Sequence, residues 1–278
     1  MWARRTDSDG MISRYVLGVL LFAMALVVIA VRGPLLVVTF YAFLITAQLE
    51  MYLALRRASL HPCMWACMLF AALIYPFYLW KGLPGVVTLF VVLSTVNLVW
   101  AIFLPQRKYL DIMASMLLMI YPVWPMFLLI LISQMGSGKL STIALGIAVF
   151  SPVVTDIFAY FVGRYFGRRK LSPLISPKKT LEGALGGLVL SSLIISIAGW
   201  FVFRYYSQEL DYYHYVVLGF LCSIFAQAGD LTASAIKRFS GIKDFGNVLL
   251  GHGGVLDRID GILLGAVAVY GYFSLFII

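Results

Sequence analysis

Apolar residues fill this chain in long runs, and polar positions are confined to narrow gaps between them. A hydrocarbon core about 30 Å thick takes about 20 apolar residues per helix. On that measure the pattern predicts nine spans, at roughly 14–31, 34–55, 62–80, 84–104, 110–132, 141–163, 183–203, 212–236 and 259–278. The gaps are Arg32-Gly33-Pro34, Arg56 to His61, Lys81 to Pro84, Pro105 to Lys108, Gly136 to Lys139, Arg164 to Glu182, Arg204 to Asp211 and Lys237 to Arg258. Glycine and proline mark several of them. The first run follows Arg4, Arg5 and Arg14, but no A-x-A site comes after it and a second run starts almost at once. It is therefore read as an uncleaved span rather than a secretion signal. No soluble domain and no clear repeat interrupts the series. The expected fold is all-α, a polytopic integral membrane protein of about nine transmembrane helices. Residues 1–140 supply N-terminal helices, and residues 141–278 form the region where chemistry gathers.

Composition agrees. Hydrophobic residues make up 62% and charged residues 12% of the 278, against about 25% charged in soluble domains. Cys63 and Cys67 lie four apart in an apolar run, and with Cys222 they read as small buried hydrophobes. No CxxC or zinc spacing is present.

The net charge of +9 carries topological information. With sides alternating from the N-terminus, one side collects Arg4, Arg5, Arg14, Arg56, Arg57, Arg107, Lys108, Arg164, Arg168, Arg169, Lys170, Lys178, Lys179, Lys237, Arg238, Lys243 and Arg258. The other collects only Arg32, Lys81, Lys139 and Arg204. Basic loops stay inside, so the N-terminus is expected in the cytoplasm.

Two cytoplasmic connections differ from the rest. One, Arg164 to Glu182, contains SPKKTLEG at 176–183; the other, Gly229 to Gly261, contains SAIKRFSGIKDFGN and GHGGVLDRIDG. Asp156, Glu182, Asp230, Asp244, Asp257 and Asp260, half of the acidic residues, lie in or beside them. Lysines with glycine-rich backbone suit phosphates. Carboxylates suit Mg²⁺, which binds through one or two of them plus substrate phosphates. Together they point to nucleotide or polyphosphate chemistry at the cytoplasmic face.

SPKKT reads as a helix start, with Ser176 as N-cap, Pro177 at the first position, and Lys178, Lys179 and Thr180 at an anion-favouring N-terminus. The plainer alternative is a snorkelling positive-inside anchor. Asp257 and Asp260, three apart, share a face if the last helix begins near Leu256. Asp230 follows Gly229 inside an apolar run, where an unpartnered carboxylate is costly. Convergence of these carboxylates on divalent ions would satisfy them, and Asp156 is a further candidate ligand or hydrogen-bond acceptor. An ion pair of Asp257 with Arg258 or Arg238 is the structural alternative. His252, between glycines, is open to phosphate contact, acid catalysis or ordering of its loop. Glu50 reads as an interfacial charge or a structural partner.

The run SAIKRFSGIKDFGNVLLGHGGVLDRID, Ser234 to Asp260, resembles the signature of the phosphatidate cytidylyltransferases, or CDP-diacylglycerol synthases. Ser234, Lys237, Arg238, Lys243, Asp244, Gly246, His252, Gly253, Gly254, Asp257, Arg258 and Asp260 fall at the matching spacings. SPKKTLEG and DIFAYFVGR also look like segments of that family, and the likeness is sharp over about 151–261. Leu250 departs from it, standing where the family usually has proline or glycine.

The resemblance implies transfer of the cytidylyl group of CTP to phosphatidic acid, giving CDP-diacylglycerol and pyrophosphate. It implies Mg²⁺, with a second, monovalent cation such as K⁺. It makes Asp257 and Asp230 the first metal-ligand candidates, then Asp260 and Asp156. Lys178, Lys179, Lys237 and Arg238 would bind substrate phosphates, Arg258 would orient carboxylates or meet pyrophosphate, and Ser234 and His252 would touch ligand or water. It further implies a homodimer in a bacterial inner membrane, with lipid and nucleotide substrates and no nucleic acid partner.

Rival classes are weaker. A transporter would show internal repeats and midplane charge. A CTP-using enzyme with another lipid acceptor shares the motif. Alcohol phosphatidyltransferases carry an Asp-Gly-x-x-Ala-Arg start that is absent. A scaffold would have no use for buried charge.

Overall fold

The computed structural model describes residues 33–103, 109–247 and 253–277. The predicted run 14–31, Leu250 and His252 lie outside the described residues. Eight helices and one small hairpin follow in order: α1 (Gly33–Arg57), α2 (Met64–Ile102), α3 (Tyr109–Ile120), α4 (Val123–Ile132), α5 (Gly138–Phe166), β1 (Lys170–Ser172), β2 (Ser176–Thr180), α6 (Leu181–Tyr205), α7 (Tyr212–Phe239) and α8 (Leu256–Phe276). Among the described residues, seven helical segments are long and apolar enough to cross a membrane, with α3 and α4 together forming one of them.

Helix α2 is one of the seven by length, yet it is folded on itself. Trp65 and Trp100 have ring centroids 6.1 Å apart, and Phe70 and Phe90 5.5 Å. A straight helix would separate Trp65 from Trp100 by about 52 Å at 1.5 Å per residue. The chain reverses at Gly82, whose φ of 66° and ψ of −159° lie outside the helical region. Only glycine adopts that conformation cheaply. The polar gap Lys81 to Pro84 therefore separates two antiparallel arms, 64–81 and 83–102, as the hydropathy pattern predicts.

The C-terminal helices pack through small residues. On α6, Leu185, Val189, Leu193, Ile197 and Trp200 are exposed, while Gly183, Gly187, Ser191 and Ile195 face inward. Large residues outward and small ones inward suit a helix solvated by lipid and packed by close backbone approach. Thr155 on α5 donates to Ser191 Oγ on α6 (2.9 Å). A Cβ at Gly187 would lie 2.8 Å from Ala159 Cβ. Helix α4, almost wholly buried, packs against α8 and links the N-terminal helices to this group.

SPKKT corrects the sequence reading. Ser176–Thr180 is not the first turn of a helix but strand β2, antiparallel to β1 with Lys170 opposite Thr180 and Ser172 opposite Ser176. Pro177 is tolerated because a two-stranded hairpin has free edges. The N-cap of α6 is Thr180, whose hydroxyl accepts from Gly183 N (3.1 Å). Glu182 accepts from the backbone amides of Arg168 (2.9 Å) and Arg169, tying the helix start to the approach of β1.

Candidate active site

Four elements converge on the basic face of the molecule. A cavity of about 410 Å³ opens between α5, the hairpin, α6 and α7. Helix α5 supplies Asp156, Tyr160, Gly163 and Arg164 to its lining, the hairpin supplies Lys178, Lys179 and Thr180, and α7 supplies Gln227 and Asp230. The shared face predicted for Asp156, Tyr160 and Gly163 is the one turned to this cavity.

Lys179 and Asp230 form an ion pair at the cavity wall. Burial pushes the Lys179 ammonium below the 10.5 of an ordinary lysine, against the opposing pull of Asp156 and Asp260. Asp230 also meets Ser234 Oγ, one helical turn on, at 3.5 Å. Asp156 lies within electrostatic reach of Lys179. Lys178 is exposed and Ser176 half-buried on the same hairpin.

A second pair lies at the start of α8. Lys237 Nζ is 2.7 Å from Asp257 Oδ1, with side-chain exposures of 12% and 6%. Asp257 Oδ2 accepts from Phe245 N (2.8 Å) and Gly254 N (3.0 Å). The cation opposite Asp257 is thus Lys237, rather than the Arg258 or Arg238 considered from the sequence. Arg238 spans two connections, donating to Ile175 O (3.2 Å) and Ile242 O (3.3 Å). Arg258 is exposed.

Asp260 is 8% exposed, accepts from Gly261 N (2.7 Å), and is in electrostatic reach of Lys237, Asp156 and Lys179. Gly229 lets α7 approach the backbone of Asp260. A Cβ there would sit 2.4 Å from Asp260 O, so α7 and α8 cross in backbone contact at the level of the carboxylates.

Among the described residues, no three Asp, Glu, His or Cys side chains form a group able to cage a metal. A full cage is more than Mg²⁺ requires, since one or two carboxylates and substrate phosphates suffice. Asp156 and Asp230 line one cavity beside two lysines, and this oxygen donor set fits such an ion.

Two participants had a weak signal or none in the sequence. Gln227 lines the cavity and donates to Ala184 O (3.1 Å); a lone amide in an apolar run does not announce itself. Glu50 was visible as an acidic residue in an apolar run, but its partners, Val255 and Leu256, lie at the other end of the chain.

The cavity lined by paired lysines and carboxylates thus lies in a helical chain whose described residues include seven segments long and apolar enough to cross a membrane. The profile of the cytidylyltransferase family matches residues 12–276, and the chain belongs to that family. Among proteins named phosphatidate cytidylyltransferase, the one from Bacillus subtilis is 43% identical over 123 residues, 44% of this chain and 44% of its own length. The one from Haemophilus influenzae is 41% identical over 128 residues, 44% of this chain and 42% of its own. The one from Aquifex aeolicus is 38% identical over 156 residues, 56% and 55%. The chain thus spans about half the length of the curated relatives it matches.

Proposed function

We propose that this protein transfers the cytidylyl group of CTP to phosphatidic acid, releasing pyrophosphate and leaving CDP-diacylglycerol in the bilayer. The carrying observation is the cavity that sets Lys178, Lys179, Asp156 and Asp230 side by side next to the Lys237–Asp257 pair, in a chain of the cytidylyltransferase family. In the reaction a phosphate oxygen of the lipid attacks the α-phosphorus of CTP, and the bond from that phosphorus to the β-phosphate oxygen breaks. The attacking oxygen is already anionic near neutral pH, as a second phosphate pKa near ~6 implies. No strong protein base is needed, and catalysis becomes alignment and neutralisation of charge.

The chain's own residues suit those tasks. Lys179 and Lys237, held by Asp230 and Asp257, are ammonium groups that exchange a carboxylate partner for a phosphate when substrate enters. Lys178 and Arg238 add charge at the mouth, and Thr180 and Ser234 add hydroxyls. Asp156 and Asp230, together with substrate phosphates, would hold Mg²⁺, with Asp260 nearby as a further carboxylate, and Mg²⁺ with a monovalent ion such as K⁺ would supply neutralisation of triphosphate charge. Asp257 joins such a set only by giving up Lys237, so its first task is to hold the loop and that lysine. His252 remains a candidate for phosphate contact.

The same reading places nine crossings in a bacterial inner membrane, the N-terminus and the site on the cytoplasmic side where CTP is found. It takes residues 1–140 as the supporting helices, residues 141–278 as the catalytic region, and a homodimer as the working form.

The test uses purified protein in detergent–lipid micelles with phosphatidic acid, Mg²⁺ and CTP labelled in the cytidine ring. Metal-dependent movement of label into the lipid phase, stopped by EDTA, is expected. A folded protein that labels no lipid phosphate would overturn the reading. Label accepted by an isoprenoid phosphate but not by phosphatidic acid would move the activity to another acceptor.

A further inference from the structure

One buried side chain of the N-terminal half reaches the backbone of the signature segment. Glu50 of α1 is 4% exposed. Its Oε1 accepts from Val255 N (2.9 Å) and its Oε2 from Leu256 N (2.8 Å). These amides open α8, whose own cap residue, Val255, makes no side-chain cap bond. A helix start leaves amides unsatisfied and carries the positive end of the helix dipole. Glu50 supplies both the acceptors and the negative charge from 205 residues away.

Two signature glycines are shaped by the same carboxylate. A Cβ on Gly254 would lie 2.5 Å from Glu50 Oε2, and one on Gly246 would lie 2.6 Å from Oε1. Neither glycine has a positive φ, so backbone freedom is not what they provide. They leave room for Glu50. The next residue along, Asp257, holds Gly254 N and Phe245 N on its other side. Glu50 and Asp257 therefore grip the loop on adjoining amides, 254 by one and 255–256 by the other.

We infer that Glu50 is a positioning residue for the transfer site, fixing where α8 begins and thereby where Asp257 and Lys237 stand. The inference rests on the reading of that site as the cytidylyl-transfer centre. It assigns the N-terminal helices a part in catalysis, through α1, beyond anchoring. A side chain that merely filled space would change stability when altered. A positioning residue changes kcat, because a displacement of about 1 Å at a reacting group costs on the order of 100-fold.

The test compares the full-length protein with Glu50→Gln, Glu50→Ala, Gly254→Ala and the Glu50→Ala/Gly254→Ala double variant. Kinetics with CTP and phosphatidic acid are read beside hydrogen exchange at the amides of Val255 and Leu256. Glutamine keeps one acceptor oxygen but turns an N–H₂ toward an amide donor. Glu50→Gln is expected to fold, to lose kcat with little change in KM for CTP, and to exchange faster at both amides. Glu50→Ala is expected to lose on the order of 100-fold in kcat. Gly254→Ala should match it, and the double variant should be no worse than either, since the new methyl enters the vacated space.

Full kcat in a folded Glu50→Ala, a lower melting temperature with unchanged kcat, or multiplying losses in the double variant would overturn the inference. If Glu50→Ala does not fold, Glu50→Gln decides by the same criteria. If the unaltered protein transfers no cytidylyl group, the functional reading fails, and the exchange data still judge the clamp: unchanged rates at Val255 and Leu256 in Glu50→Gln would sink it.

Discussion

At the scale of single residues, the site holds two lysine–aspartate pairs, and the burial of one, Lys237–Asp257, makes it unequal to a surface ion pair. Removing one member of a buried pair leaves an uncompensated charge and costs on the order of 3–5 kcal/mol, whereas removing both is often neutral. Lys237→Met and Asp257→Asn should each lower the melting temperature, and the double variant should recover most of it. None of the three should regain transfer, because the ammonium proposed to bind phosphate, or its holder, is gone. A double variant as unstable as the two losses combined would show that the pair is not coupled. Lys179 gives a pH prediction. In the proposed reaction its protonated form binds phosphate, and burial lowers its pKa below 10.5. On the alkaline side, kcat/KM for CTP should therefore fall at a lower pH than an ordinary lysine would give, since that parameter reports the free enzyme. Lys179→Arg, always charged, should flatten that limb whatever its absolute rate. The same depression makes the charged lysine a cost to folding below its folded pKa. Stability rises with pH through the interval between folded and unfolded values, so alkaline loss of activity should precede loss of fold.

At the scale of elements, helix boundaries and one strand decide where those residues stand. Gly229 allows α7 and α8 to touch backbone to backbone beside Asp260. A methyl there meets a carbonyl oxygen that belongs to the helix itself, and no side-chain rotation relieves it. Gly229→Ala should lower kcat by tenfold or more, on the order of the penalty for small misplacements, while the protein still inserts and purifies. Thr180→Ala should cost about 1 kcal/mol, the worth of an N-cap, seen as a modest fall in melting temperature. Much of this level was legible in the sequence. The polar gap at Lys81–Pro84 located the reversal at Gly82, whereas α8 begins at Leu256, three residues before the predicted span 259–278 and where Asp257 and Asp260 were expected to share a face. SPKKT was misread because Ser, Pro and Thr at a helix edge satisfy capping rules equally well one strand earlier. What separated the readings was pairing with Lys170–Ser172, a partner chosen by tertiary structure. Lys237 as the partner of Asp257 was hidden for a related reason. Arg238 is as near in sequence, and only the pitch of α7 turns Lys237 inward and Arg238 toward Ile175.

At the scale of the whole molecule, the two halves of the chain are joined where chemistry is expected, through Glu50 on α1 and through α4 against α8. That joint was beyond sequence reasoning, because no local pattern links position 50 to position 255. What the sequence does carry at this scale is the asymmetry of basic residues, and it makes a prediction that the fold turns into an experiment. Leu174, at the tip of the β1–β2 hairpin, is 91% exposed on the lysine-rich side. Gln208, in the connection from α6 to α7, is exposed on the other. Cys63, Cys67 and Cys222 are all buried, so single cysteines at Leu174 and Gln208 would be read against a quiet background. In intact cells a membrane-impermeant maleimide should label Gln208→Cys and spare Leu174→Cys, and in inverted vesicles the preference should reverse. The lysines that would bind a triphosphate lie on the hairpin with Leu174. Labelling of Leu174→Cys from outside would therefore separate the site from cytoplasmic CTP, and the proposed reaction would lose its nucleotide along with its orientation.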